Sequence, residues 1–183
     1  MIIQQLSLFE TQPVILDSNE NYTPSDLIDL VHEFYGFPEL DPFSCELANR
    51  TVKAQKIFTI QDDGFKQNWR RARTLWLNPP YSAGFVEKVV DKLIQTLNET
   101  EAEALLLTNT DNSTAWYKKA LNQCDRFILP HTRLTFYSPK RAEEGKKQNQ
   151  NRFSQTLFYF GLQHQRFEVV FEGWGTVCQT SKW

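Results

Sequence analysis

Cysteine and histidine are scarce in this chain of 183 residues, at three each. Cys45, Cys124 and Cys178 are odd in number, far apart and form no Cys-x-x-Cys pair. A disulfide framework is therefore not expected, and the thiols read as reduced and structural. His32, His131 and His164 are equally scattered. No zinc spacing arises, so no metal is expected. No apolar run approaches the roughly 20 residues that span a bilayer. The opening "MIIQQLSLFE" lacks a basic region, a long apolar segment and a small-residue cleavage site. It does not read as a signal peptide, and a cytoplasmic location is expected.

What is present points to a packed core. Aromatic residues make up 14% of the chain and include 14 Phe and 5 Trp, which excludes a disordered composition. The length suits one domain. The expected division is a polar arm over 1–20, carrying one short apolar cluster, and a single domain over 21–183.

The net charge of −2 conceals an asymmetry. Residues 1–63 hold eleven acids and three bases, a balance of −8. Residues 114–166 hold three acids and ten bases, a balance of +7. A basic C-terminal half suggests an anionic partner there. Its candidate contacts are Arg133, Lys140, Arg141, Lys146, Lys147 and Arg152. Arg70, Arg71 and Arg73 read as a solvated face, and Trp69, Trp76 and Trp116 as core.

"YTPSDLIDLVHEFYGF" predicts a helix, with Thr23 as cap, Pro24 in the first turn and Gly36 at the end. "PELDPFS" predicts a strand stopping at Asp41-Pro42, and "CELANR" a short helix. "QKIFTI" and "TLWLN" predict strands. "FVEKVVDKLIQTL" predicts an amphipathic helix, and the almost wholly apolar "EALLLTN" a buried parallel strand. A helix over "NSTAWYKKALNQC" and a strand over "RFILP" follow. "RLTFYS" and "SQTLFYFG" read as two strands joined by a polar, basic loop, and "FEVVFEGW" as one more strand. The alternation predicts an α/β fold with a doubly wound, mostly parallel sheet and a β-hairpin addition near the C-terminus. Ligands bind beyond the carboxyl ends of such strands. Asp41, Asn78 and Asn109 fall at those ends.

"NPPY", residues 78–81, ends an apolar strand. Proline fixes φ and has no N–H, and it pushes its predecessor out of the helical region. The corner is stiff, and its carbonyls meet no competing local N–H. With the Asn78 side chain, it presents a fixed pair of acceptors suited to an –NH2 group. Two such acceptors direct the amine hydrogens and leave the nitrogen lone pair aimed elsewhere. Tyr81 offers a flat surface on which a base stacks, worth roughly 1–3 kcal/mol.

These motifs resemble a known family. "NPPY" is similar to the catalytic motif of amino-methyltransferases that use S-adenosylmethionine. "YTPSDLIDLVHEFYGFPELDPFS", Asn49, "DDGF", Trp69, "LWLNPPYS", "LLLTNTDNSTAWY" and "RLTFYSP" together resemble the phage-type Dam family of DNA adenine methyltransferases, over about residues 22–161. The resemblance implies a Rossmann-like, class I methyltransferase fold and double-stranded DNA as partner. It implies methyl transfer from S-adenosylmethionine to the exocyclic amine of a flipped adenine. Asn78, Pro79, Pro80 and Tyr81 would form the catalytic corner. Tyr22, Thr23 and Pro24, then Asp41, Pro42 and Phe43, then Asp62 and Asp63, would meet the cofactor. The loop after the first strand, "DPFSCELAN", has no glycine, unlike most users of this cofactor. Methylation of RNA or of a protein glutamine, and a non-catalytic nucleic-acid-binding module, stand as alternatives. Finally, "QLSLF" in the arm resembles a peptide that docks on the bacterial sliding clamp, through Gln5, Leu6, Leu8 and Phe9; packing of the same residues onto the protein's own core stands as the alternative.

Overall fold

The computed structural model describes residues 21–82, 84–148 and 150–180. The arm, with Gln5, Leu6, Leu8 and Phe9, lies outside the described residues. One seven-stranded sheet organises the rest, and six helices pack around it among the described residues. In chain order the elements are α1 (Ser25–Tyr35), β1 (Leu40–Asp41), α2 (Glu46–Val52), β2 (Lys56–Ile57), β3 (Thr74–Leu77), α3 (Phe85–Asn98) and β4 (Glu103–Asn109). There follow α4 (Ala115–Gln123), β5 (Arg126–Pro130), α5 (Pro139–Glu143), β6 (Gln155–Phe160), α6 (His164–Phe171) and β7 (Gly175–Gln179).

The strand order is β2-β1-β3-β4-β6-β5-β7. The four strands β2, β1, β3 and β4 are parallel. Beyond β4 every pairing is antiparallel, because β6 inserts between β4 and β5. The sheet is thus partly parallel, not mostly so.

Both faces are covered, and the period of two along each strand decides what goes where. Leu75, Leu77, Ala104, Leu106, Phe158 and Phe160 face α3 and α4. Trp76, Leu105, Leu107, Leu157 and Tyr159 face α1 and α6. Such two-sided burial explains why "LLL" runs unbroken through β4.

Three expectations are corrected. "RLTFYS" is extended, and Leu134 and Phe136 are buried, but it makes only the isolated bridges Thr135–Gln150 and Tyr22–Tyr137. Among the described residues the two segments form no hairpin, since "SQTLFYF" takes its partners from β4 and β5. The loop between them carries the short helix α5. "FEVVF" is a helix. Phe167 and Phe171, four apart, are buried, while Val169 is 74% exposed, which a strand would not allow. The last strand is β7, which the apolar pattern did not reveal.

Helix α1 begins one residue later than expected. Pro24 is its N-cap and the Thr23 hydroxyl does not cap it. Gly36 ends it with φ of 75°, as a helix-terminating glycine does. Among the described residues no helix is long and apolar enough to cross a membrane, and no group of three or more His, Cys, Asp or Glu could hold a metal.

Candidate active site

The parallel strands bring Asp41, Asn78 and Asn109 to one edge of the sheet. Asn78 follows Leu77 directly, and Leu77 pairs with Leu106 of β4. Pro79 is buried, Asn78 and Tyr81 half-buried, and Pro80 exposed.

Two hydrogen bonds hold the Asn78 amide. Its Nδ2 donates to Thr23 Oγ1 at 3.0 Å. Its Oδ1 accepts from the Tyr81 hydroxyl at 2.8 Å. The Tyr81 hydroxyl also lies 3.5 Å from the Leu107 carbonyl oxygen. Burial pushes the Tyr81 phenol far above its usual pKa, so it remains a donor throughout the working range. One of the two acceptor sites on Oδ1 is therefore left for a substrate N–H. The Tyr81 ring stands edge-to-face with Phe136 and packs against both core layers. It also lines a cavity of about 450 Å³ with Asn109, Asp111 and Trp116.

Thr23 is expected from the sequence as a helix cap and a cofactor residue. It is 5% exposed and accepts a hydrogen bond from the Asn78 amide, which its sequence position did not reveal. Thr23→Val should therefore cost about 1–3 kcal/mol of catalysis, because Nδ2 loses its acceptor and the amide is free to turn over. The expected result is a lower kcat with little change in cofactor affinity, recovered in Thr23→Ser. Steady-state kinetics of the three proteins would check it.

Asp41 ends β1 and is 4% exposed. Its Oδ1 accepts the Phe43 N–H at 3.2 Å. Burial raises its carboxyl from 3.8 to about 7, and the Phe43 N–H and the Ser44 side chain oppose this only in part. Ser44 Oγ, three residues on from Asp41 in the chain, is buried near that carboxyl and makes no hydrogen bond of full geometry. Polar capacity is thus left over at the end of β1, and a polar ligand with donors would satisfy it.

A raised acid pKa has a definite sign in stability. The unfolded carboxyl ionises above about 4, whereas the folded one resists up to about 7. Stability is present in full below the first value and is lost as pH rises to the second. At about 1.4 kcal/mol per pKa unit, the loss is roughly 4 kcal/mol. Asp41→Asn should remove it, so the variant gains on the wild type as pH goes from 5 to 8. Thermal melts across that range would show the gain, and parallel curves would contradict it.

Tyr22 joins this edge to two others. Cys45 Sγ donates to its hydroxyl at 3.3 Å, next to the start of α2. Its backbone pairs with Tyr137 in both directions. Phe43 turns its ring into a cluster with Phe65, Trp69 and Phe85. That cluster joins the loop after β1 to α3 and to the segment before β3.

The close backbone approach that glycines provide elsewhere is made here from across the site. Gly64 of "DDGF" packs on the β1 loop so tightly that a Cβ would lie 2.2 Å from the Pro42 carbonyl oxygen. Trp69 Nε1 donates to Gly64 O at 2.9 Å, and Lys92 Nζ donates to the Phe65 and Gln67 carbonyls. The loop is therefore held over Asp41-Pro42. Asp62 accepts from the Thr59 N–H and hydroxyl, and Asp63 pairs with Lys66. Bonds to Thr59 hold the Asp62 carboxyl below its usual pKa, and the bond to Lys66 does the same for Asp63. Both carboxylates are engaged with their own turn.

The basic residues lie past β5. Lys140 and Arg141 sit on α5, Arg141 donates to the Lys147 carbonyl, and Lys146 pairs with Glu144. Arg133, Lys140, Lys147 and Arg152 are exposed. Arg70 and Arg73 sit before β3, at the opposite edge, where they pair with Glu99 and Glu39. Trp69 and Trp76 are core; Trp116 is half-buried at the cavity. Asn49 ties α2 to β2 through both its amide atoms, bonded to Ala54.

Fold and corner together define the class: an α/β protein that places a hydrogen-bonded asparagine amide in an Asn-Pro-Pro-Tyr corner at the carboxyl edge of a partly parallel sheet. A model of the DNA N-6-adenine-methyltransferase (Dam) family matches residues 16–172, and the chain belongs to that family. The DNA N-6-adenine-methyltransferase of Escherichia phage T1 is 30% identical over 115 residues, covering 62% of this chain and 45% of that protein. That of Haemophilus phage HP1 (strain HP1c1) is 26% identical over 125 residues, 67% of each chain. The chain thus spans less than half the length of the T1 relative it matches.

Proposed function

We propose that the protein is a site-specific DNA adenine-N6 methyltransferase with a Rossmann-like, class I methyltransferase fold. The carrying observation is the Asn78 amide, locked by Thr23 and Tyr81 so that one acceptor site of Oδ1 stays open at the sheet edge. The family match supports the same reading.

S-adenosylmethionine, when bound, supplies an electrophilic methyl on a sulfonium. Tyr22, Asp41 and Pro42 would hold it, with the buried Asp41 and Ser44 oxygens as its polar partners. Phe43 and the loop of Asp62 and Asp63 would support that site from outside. Asn78 Oδ1 and the Pro79 carbonyl would each accept one hydrogen of the adenine amine. The nitrogen is thereby drawn toward tetrahedral geometry, and its lone pair becomes available to the methyl carbon. Pro80 keeps the corner extended. Tyr81 orients Asn78 and offers the exposed part of its ring to the base. Arg133, Lys140, Arg141, Lys147 and Arg152 would meet phosphates, and Lys146 joins them if Glu144 releases it. The target leaves the helix at a cost of a few kcal/mol. In the same reading, the arm residues Gln5, Leu6, Leu8 and Phe9 would dock the enzyme on a sliding clamp.

The test is direct. Purified protein, labelled S-adenosylmethionine and adenine-unmethylated genomic DNA should give N6-methyladenine at a recurring sequence. Label confined to RNA or protein would refute the DNA assignment.

A further inference from the structure

We propose that Phe153 is the side chain that enters the duplex in place of the extruded adenine. This rests on the methyltransferase reading and adds a residue to it. Phe153 is 56% exposed and belongs to neither core layer. Its backbone is nevertheless firmly placed. The Phe153 N–H donates to Asn151 Oδ1, and its carbonyl accepts from Gln155 Nε2 at 2.6 Å. Gln155 is 1% exposed and donates also to Asn109 Oδ1, as does Asn151. Asn109 ends β4 and lines the cavity beside Tyr81. An apolar ring is thus held out to solvent on a backbone anchored to the active edge.

Charge selects the occupant. Arg152 adjoins Phe153 and is exposed, as are Arg133, Lys140 and Lys147. Among the described residues no carboxylate forms a close ion pair with Arg133, Lys147 or Arg152, while Lys140 acts on Glu144. An apolar ring next to Arg152 on a segment rich in exposed cations matches a polyanion with stacked apolar rings inside it. Proteins that unstack DNA insert such wedges between base steps. Other exposed apolar residues fit less well. Ile60 is 90% exposed, but Asp62 and Asp63 adjoin it and would repel phosphates. Leu162 follows β6, at the opposite edge.

The test uses the full-length protein and a duplex bearing the sequence that the wild type methylates, with 2-aminopurine at the target position. Wild type should raise the fluorescence on binding, because the base leaves the stack. Phe153→Ala should lose that rise, and its turnover on a paired target should fall about ten-fold or more. A mismatched target should restore turnover, and Phe153→Trp should retain both signals. The melting temperature should not change. Equal fluorescence and turnover in Phe153→Ala would overturn the wedge and leave the methyltransferase assignment standing. A marked fall in its melting temperature would place the ring in the folded core and overturn it too. A wild type that methylates no DNA would sink both.

Discussion

Asn78→Ala should bind S-adenosylmethionine and DNA almost as the wild type does and yet fail to transfer the methyl. The side chain touches Thr23 and Tyr81, and the bulk of the cofactor's expected contacts lies at β1. What is lost is an acceptor aimed at one amine hydrogen. Removing a single oriented group that stabilises developing charge costs about 10²–10³ in kcat. Single-turnover kinetics separate this from binding. Asn78→Asp should retain more, since the Thr23 hydroxyl can reverse and donate to the carboxylate. Tyr81→Phe gives a sharper distinction. A purely stacking tyrosine tolerates that change, whereas one that orients Asn78 loses a hydrogen bond worth about 1 kcal/mol, roughly five-fold in rate. Loss of cofactor affinity in Asn78→Ala would move the residue from the reacting amine to the cofactor.

Gly64→Ala should have the largest effect away from the reacting atoms. A methyl placed 2.2 Å from the Pro42 oxygen and 3.0 Å from the Phe43 ring forces the two loops apart. Overpacking of this kind costs about 1–3 kcal/mol. For a chain of this size that lowers the melting temperature by roughly 3–10 °C. The contacted atom belongs to the segment that ends β1, so cofactor affinity should fall with stability. Gly173→Ala makes the control, because its Cβ would meet nothing within 4 Å. Calorimetry and a cofactor titration on both variants check the pair. A Gly64→Ala protein with unchanged melting and affinity would show that the loop yields freely.

The local code of the chain determined much of the parallel half. Apolar runs bounded by Asp41-Pro42 and by "NPPY" located β1 and β3, because proline cannot continue a strand ladder. The helical period located α3, and the unbroken apolar run located β4. The Asn-Pro-Pro-Tyr corner was legible as a strand end for the same reason: its stiffness is covalent. Only the tertiary structure decided the antiparallel half. "FEVVF" satisfies both a period of two and a spacing of four, and the burial of Phe167 and Phe171 against α1 resolved it as a helix. "RLTFYS" had the right alternation, but β4 and β5 already occupied both sides of β6. The partners of the site were hidden likewise. Thr23 and Asn78 are 55 positions apart, and Gly64 lies 22 beyond Pro42. Contacts of such range carry no local signal, and folding alone brings them to one edge.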